Sequence, residues 1–255
     1  MPPHLSLLCL AAFAAGFIDA IVGGGGLIQT PASLVLLPQY PVATVIGTLK
    51  IPAFCGTGMA ALQYARRVQL QWGRLAAMAS LAAVAAFAGS RLLTVVSNQF
   101  MKPLLLIVLV AVAAYTWTNK KFGHHTEKTH SPRGQWARAL AISTVIGFYD
   151  GFIGPGAGTF LVLAFIGWLG FDFLKASAHA KLINLSTNLG SIVFFALSGK
   201  IIYAIALPMA VCNALGGALG ARMAILKGNA FIRVLFLIVV CGIILRFAHD
   251  VFFPS

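Results

Sequence analysis

The sequence predicts an all-α polytopic membrane protein. Two homologous halves of four apolar blocks each start with a Gly-broken helix, and the halves are expected to be inverted repeats. Three observations predict it. Of 255 residues, 60% are hydrophobic and only 9% charged, whereas a soluble domain carries about 25% charged residues. The apolar residues gather into long, nearly uncharged stretches, which read as membrane spans. The chain also matches itself, without a gap, when Asp19 is laid on Asp150.

Rare residues carry that match. Gly16, Phe17 and Asp19 meet Gly147, Phe148 and Asp150, and Gly23 and Gly25 meet Gly154 and Gly156. Lys50 meets Lys181, Gly89 and Arg91 meet Gly220 and Arg222, and Asn98 and Phe100 meet Asn229 and Phe231. Lys102 meets Arg233, and Leu106, Ile107 and Val108 meet Leu237, Ile238 and Val239. Apolar coincidences follow from composition alone, but those of Asp, Lys, Arg and Asn do not. Residues 1–118 therefore read as a first transmembrane repeat, 119–135 as a polar basic linker and 136–255 as a second repeat.

The blocks follow in order. The first half has Leu5–Leu37, Val42–Tyr64, Leu75–Val96 and Phe100–Thr116; the second has Ala137–Leu169, Phe173–Leu197, Ile201–Met223 and Phe231–Phe253. The first block of each half is too long for one span, since about 33 helical residues reach ~50 Å against a hydrocarbon core of ~30 Å. Both are interrupted at matching places, by Gly23-Gly24-Gly25-Gly26 and by Gly154-Pro155-Gly156-Ala157-Gly158. Glycine runs and proline break helices, so each long block is expected to be two helical pieces. Non-helical backbone at that depth survives only against protein or a wet cavity. Paired interruptions of this kind are the best sequence pointer to a transporter's binding site; the alternative is that the glycines merely allow close helix packing. If each long block returns to its starting side, Arg66, Arg67, Arg74, the linker, Lys175 and Lys227 share one side, and Lys102, Lys200 and Arg246 the other.

The net charge of +13 does not indicate nucleic acid. The basic residues Arg66, Arg67, Arg74, Lys120, Lys121, Lys128, Arg133 and Arg138 lie between apolar blocks, as the positive-inside rule requires of cytoplasmic loops. Cys9, Cys55, Cys212 and Cys241 form no C-x-x-C pair and read as small buried hydrophobes, without disulfide or metal. His124, His125 and His130 belong to the solvated linker. The apolar start, Leu5 to Ala15, lacks a basic n-region, so cleavage as a signal peptide is not expected. Arg91 and Arg222 read as interface anchors, and Trp72, Trp117 and Trp168 as an aromatic belt.

Asp19 and Asp150 are the proton-coupling candidates. A carboxylate within a span costs roughly 2.5–3.5 kcal/mol on insertion scales and is a functional hypothesis by default, and burial favours its neutral form. The alternative is that each caps its broken helix or pairs with Lys50 or Lys181. Those two lysines are the substrate-binding candidates: with the positive helix N-termini after each break, their amines suit an anion, unless they snorkel to headgroups. His179, Asn184 and Asn188 form a polar face around Lys181, and Thr48 with Gly25 and Gly156 completes the expected set. Helix–helix hydrogen bonding is the plainer reading of any one of these. Two buried aspartates also suit an intramembrane aspartyl protease, but no G-x-G-D segment occurs. A passive anion channel is the third reading. No cofactor is expected, and the absence of G-x-x-x-x-G-K-[ST] leaves ATP to a separate subunit. The partners implied are a small anionic substrate, the lipid bilayer and coupling protons, with a homodimer left open.

At Gly147-Phe-Tyr-Asp-Gly-Phe-Ile-Gly-Pro-Gly-Ala-Gly-Thr-Phe and Ala178-His-Ala-Lys-Leu-Ile-Asn the sequence resembles the sulfite exporter TauE/SafE family, in particular its YfcA-like branch. The first-half Gly-Phe-Ile-Asp with its glycine run, and Ala65-Arg-Arg-Val, share the likeness, which spans essentially the whole chain. The resemblance implies a secondary transporter in a bacterial inner membrane, a permease or exporter of sulfite, sulfonates or related organic anions. The halves depart from one another where Pro155 meets Gly24 and His179 meets Thr48, so the two sides of the site need not contribute equally.

Overall fold

The structure, a computed structural model, describes residues 4–97, 99–100, 103–104, 107 and 132–252, with the backbone alone at 132–133 and 228–252. The expectations placed on most of Phe100–Thr116, on the linker up to Ser131, and on Asn98, Lys102, Trp117 and the side chains of Arg246 and Cys241 lie outside the described residues.

Among the described residues every regular element is a helix. The first half contributes α1 (Leu5–Val22), α2 (Gly26–Leu36), α3 (Val42–Ala65) and α4 (Trp72–Val95). The second contributes α5 (Pro132–Phe152), α6 (Ala157–Leu169), α7 (Phe173–Leu197) and α8 (Tyr203–Phe252). Five of them are long and apolar enough to cross a membrane, over Leu5–Val22, Val42–Ala65, Trp72–Val95, Phe173–Leu197 and Tyr203–Lys227. Both long blocks are broken where the glycines predict. Gly23 ends α1 at φ 83°, and Gly154 and Gly156 take φ 92° and 85° on either side of Pro155, a left-handed conformation that glycine alone adopts freely. Helix α5 begins earlier than the linker boundary suggests, because Pro132 stands at its first position, where a missing N–H leaves no helical bond unmade.

One element differs from expectation. The blocks Ile201–Met223 and Phe231–Phe253 are joined in α8, a single helix of 50 residues. Gly228 is the only breaker between them, and a lone glycine costs about 1 kcal/mol in a helix, too little to end one. At ~75 Å such a helix exceeds the bilayer's hydrocarbon; among the described residues, its stretch Tyr203–Lys227 qualifies as a span.

Apolar clusters fix which ends meet. Leu8 and Ala12 at the start of α1 pack with Leu37, just past α2, and with Val45, Ile205 and Met209 from the starts of α3 and α8. Ala139 and Ile142 near the start of α5 pack with Leu169 at the end of α6, and with Leu75, Met78 and Ala176 from the starts of α4 and α7. Each broken block thus returns to the end it entered from, and α3, running from Val42 in one end to Ala65 at the other, separates the two. The broken blocks enter from opposite ends. Contacts pair off in the same sense: α1 packs on α8 and α5 on α4, α3 on α8 and α7 on α4, while α3 and α7 pack on each other. Small residues allow these approaches. A Cβ on Gly89 would strike the Phe148 carbonyl, and one on Gly220 the Phe17 carbonyl, which is the close packing that drives association of helices in lipid.

Candidate functional site

A broken helix leaves carbonyls at its C-terminal end without helical partners. At the end of α1, Asp19 O accepts from Gly23 N and from Lys181 Nζ. Ala20 O accepts from the Tyr64 hydroxyl at 3.0 Å, Val22 O from the Thr159 hydroxyl at 3.1 Å, and Gly23 O from Thr159 N at 3.1 Å. The Thr159 bonds tie the first break directly to the second. At the end of α5, Asp150 O accepts from Lys50 Nζ at 2.7 Å, and Gly151 O from Ser90 at 3.2 Å. Pro155 O, within the break, accepts from Tyr149 at 2.6 Å.

The two lysines complete their positions with carboxylates. Lys181 Nζ lies 2.8 Å from Asp19 Oδ2, and Lys50 Nζ lies 3.1 Å from Asp150 Oδ1. Each pair joins the first half to the second. Asp19 also accepts from Thr57 at 3.2 Å and weakly from Gly25 N at 3.4 Å, and Asp150 accepts from Thr187. An ammonium at a helix C-terminus offsets the partial negative charge there. The pairs differ in access: side-chain exposure is 18% for Asp19 but 6% for Asp150, 5% for Lys50 and 2% for Lys181.

Between the breaks lies a cavity of about 60 Å³. Gly25 and Gly26 at the start of α2 line it, as do Gly156 and Ala157 at the start of α6, so two helix N-termini open on one space. A helix N-terminus offers unpaired N–H groups and partial positive charge, a ready anion site. Asp19, Lys50, Asp150, Asn184 and Asn188 line it too. Asn188 Nδ2 donates to Asn184 Oδ1 at 2.8 Å, which holds both amides on one face of α7.

Of the residues expected at the site, the structure brings Asp19, Asp150, Lys50, Asn184, Asn188, Gly25 and Gly156 to this cavity and sets Lys181 just behind Asp19. Two lie elsewhere. Thr48 donates to Thr44 O at 2.7 Å and accepts from Ile202 N at 3.0 Å, which pins the start of α8 to α3. His179 bonds Lys175 O through Nδ1 at 2.8 Å and packs on Phe171, in a separate pocket of about 130 Å³ shared with Arg74, Lys175 and Gln71. The cause is their place along the helix: both sit about one half-turn before the lysine, which turns them away from it. The sequence reading missed Gln29 and Asn213, both buried and both lining the cavity. Each is an amide in an apolar block, but laying Asp19 on Asp150 sets them against Phe160 and Ala82, so neither stands out as a paired position.

A model of the sulfite exporter TauE/SafE family matches residues 8–247. A probable membrane transporter protein, ORF9, of Sinorhizobium sp is 37% identical over 246 residues, covering 96% of this chain and 93% of its own. The probable membrane transporter protein YfcA of Escherichia coli K12 is 33% identical over 249 residues, covering 98% and 91%. A probable membrane transporter protein of Haemophilus influenzae is 34% identical over 229 residues, covering 90% and 88%. No solved structure matches the chain.

Proposed function

Because the chain belongs to the sulfite exporter TauE/SafE family, we propose that it is a secondary transporter for a small anion such as sulfite, a sulfonate or a related organic anion, working by alternating access around its two helix breaks. Family membership makes it a multi-pass transporter of a bacterial inner membrane and not an enzyme. The substrate and its coupling are our reading. The observation that carries it is the pair of helix N-termini, from α2 and α6, facing one cavity whose carboxylates are already neutralised by lysines.

Size supports a small substrate. A site needs roughly 10–15 Å³ of such space per water, so about 60 Å³ suits a group of a few heavy atoms. Charge supports proton coupling. Each Lys–Asp pair is neutral, and a net charge in this low-dielectric setting is costly. Adding a monovalent anion restores neutrality only if a proton arrives with it, and Asp19 is the more accessible carboxylate. Protonated, Asp19 no longer holds Lys181 as an ion pair, and the ammonium becomes available to the anion. Because each pair ties one half to the other, loosening one also frees the halves to rock. The end carrying Arg66, Arg67, Arg74, Arg138 and Lys175 is the cytoplasmic one under the positive-inside rule.

The crossed pairing disfavours the protease reading, because each aspartate has its own ammonium and no proton need be shared between the two. The test is flux in proteoliposomes with sulfite, methanesulfonate and small carboxylates at two pH gradients. Saturable flux driven by the gradient is expected. Flux that rises linearly with concentration and ignores the gradient would instead make the protein a channel.

A further inference from the structure

We propose that Gln29 is the hydrogen-bond donor that selects the substrate, binding the oxygens of a small oxyanion through its amide N–H groups while Asn213 aims it. The inference rests on the anion-transport reading and names a binding residue within the same cavity.

Gln29 lies in the second turn of α2, 3% exposed, and lines the cavity between the breaks. Its two amide atoms are treated differently. Oε1 accepts from Asn213 Nδ2 at 2.9 Å, whereas Nε2 is buried without a partner. A buried donor left unsatisfied is costly, and native proteins keep few of them. A cavity ligand that accepts hydrogen bonds removes that cost when it binds. Each lysine of the site already bonds a carboxylate and a carbonyl, which leaves it at most one further N–H to offer.

Asn213 fixes the direction of the amide. It is 3% exposed on α8, wedged between α1 and α3 at Gly16 and Gly56. A Cβ on either glycine would collide with the Asn213 side-chain oxygen or its backbone carbonyl. Seated there, it offers its NH₂ to Gln29, and the Gln29 NH₂ is left for the cavity. With Oε1 engaged by Asn213, the unpartnered end of the amide is its NH₂. It therefore favours anions and oxygen acceptors over cations, which need carbonyl or carboxylate oxygens. The repeat places Phe160 and Ala82 at the matching positions, so the donor stands on one side of the site and the substrate binds in one orientation.

The test is calorimetric titration of the purified full-length protein in detergent with sulfite and methanesulfonate, with the melting temperature of the ligand-free protein measured beside it. Gln29→Leu and the near-isosteric Gln29→Glu are expected to weaken binding by roughly 10- to 100-fold, the range for a hydrogen bond to a charged group. Ligand-free Gln29→Leu exchanges one unsatisfied donor, Gln29 Nε2, for another, Asn213 Nδ2, so it is expected to melt close to wild type; a glutamine that serves structure alone would melt well below it when replaced. Asn213→Ser should weaken binding less, by releasing the amide from its aim. Gln29→Glu still accepts from Asn213, so it keeps that bond should Gln29→Leu fail to express. Wild-type affinity in Gln29→Glu or Gln29→Leu overturns the proposal alone. Absence of anion binding by the wild type overturns the anion reading, and the role of Gln29 with it.

Discussion

Lys181, on α7, donates to both the carboxylate and the backbone carbonyl of Asp19, which stands in the other half of the chain at the end of α1. Lys50 does the same for Asp150 at the end of α5. One ammonium thus serves two purposes at each break: it neutralises the acid and bonds a carbonyl in the last turn of the helix.

The pairs should not be equally expensive to cut. Lys50 and Asp150 are both almost wholly buried, and removing one partner of such a pair costs about 3–5 kcal/mol by leaving a charge without compensation. Lys50→Met is expected to lower the melting temperature in detergent more than Lys181→Met, whose stranded Asp19 retains access to the cavity. Adding Asp150→Asn to Lys50→Met should recover most of the loss. Equal losses from the two single changes would contradict the difference in burial.

Asp19→Asn should uncouple flux from the pH gradient. The substituted side chain keeps the size and one acceptor oxygen of the acid but cannot exchange a proton, so sulfite flux in proteoliposomes is expected to fall and to respond equally to both gradients. On the proposed coupling of one proton to each monovalent anion, wild-type flux should be indifferent to an imposed membrane potential. An Asp19→Asn protein with undiminished pH dependence would move the proton to another group.

The breaks can be probed with two neighbouring glycines. Gly23 has φ 83°, and a Cβ there would collide with the Gly158 backbone. Gly24 is not left-handed, and a Cβ there would find its nearest neighbour at 3.5 Å. Gly23→Ala should therefore abolish transport and lower expression of folded protein, whereas Gly24→Ala should retain both. Flux and size-exclusion profiles of the two variants, taken together, check this.

His179→Gln and Thr48→Val lie outside the cavity and are expected to leave sulfite affinity within about twofold of wild type. Thr48→Val should lower the melting temperature, because the part-buried Ile202 N loses its acceptor, a loss of about 1 kcal/mol, the low end of the range for an unsatisfied donor. Titration and thermal unfolding of both variants separate binding from stability. A His179→Gln protein that no longer binds sulfite would return the histidine to the site.

Much of the architecture could be read from residue order. Glycine at Gly23, Gly154 and Gly156 is a local constraint on the backbone, and the breaks appear where those residues stand. The lysines and aspartates could be singled out because charge within an apolar block is rare. Their partners could not be assigned, because Lys181 and Asp19 are 162 residues apart, and either aspartate suited either lysine by chemistry alone. Thr48 and His179 were drawn in by nearness to Lys50 and Lys181 along the chain, but helical rotation turns them elsewhere. The length of α8 was not legible either, since one glycine is a weak signal for a boundary.

The membrane character, the positions of both breaks and the identity of the buried charges could be read from residue order, because each follows from local chemistry: hydropathy, backbone freedom and the cost of a charge in lipid. Tertiary packing set the rest: that the pairs cross between halves, that α2 and α6 present their N-termini to one cavity, and that Gln29, which lines it, keeps an amide nitrogen without a partner. Those facts depend on which helices meet and in what rotation, and packing between segments distant in sequence sets both.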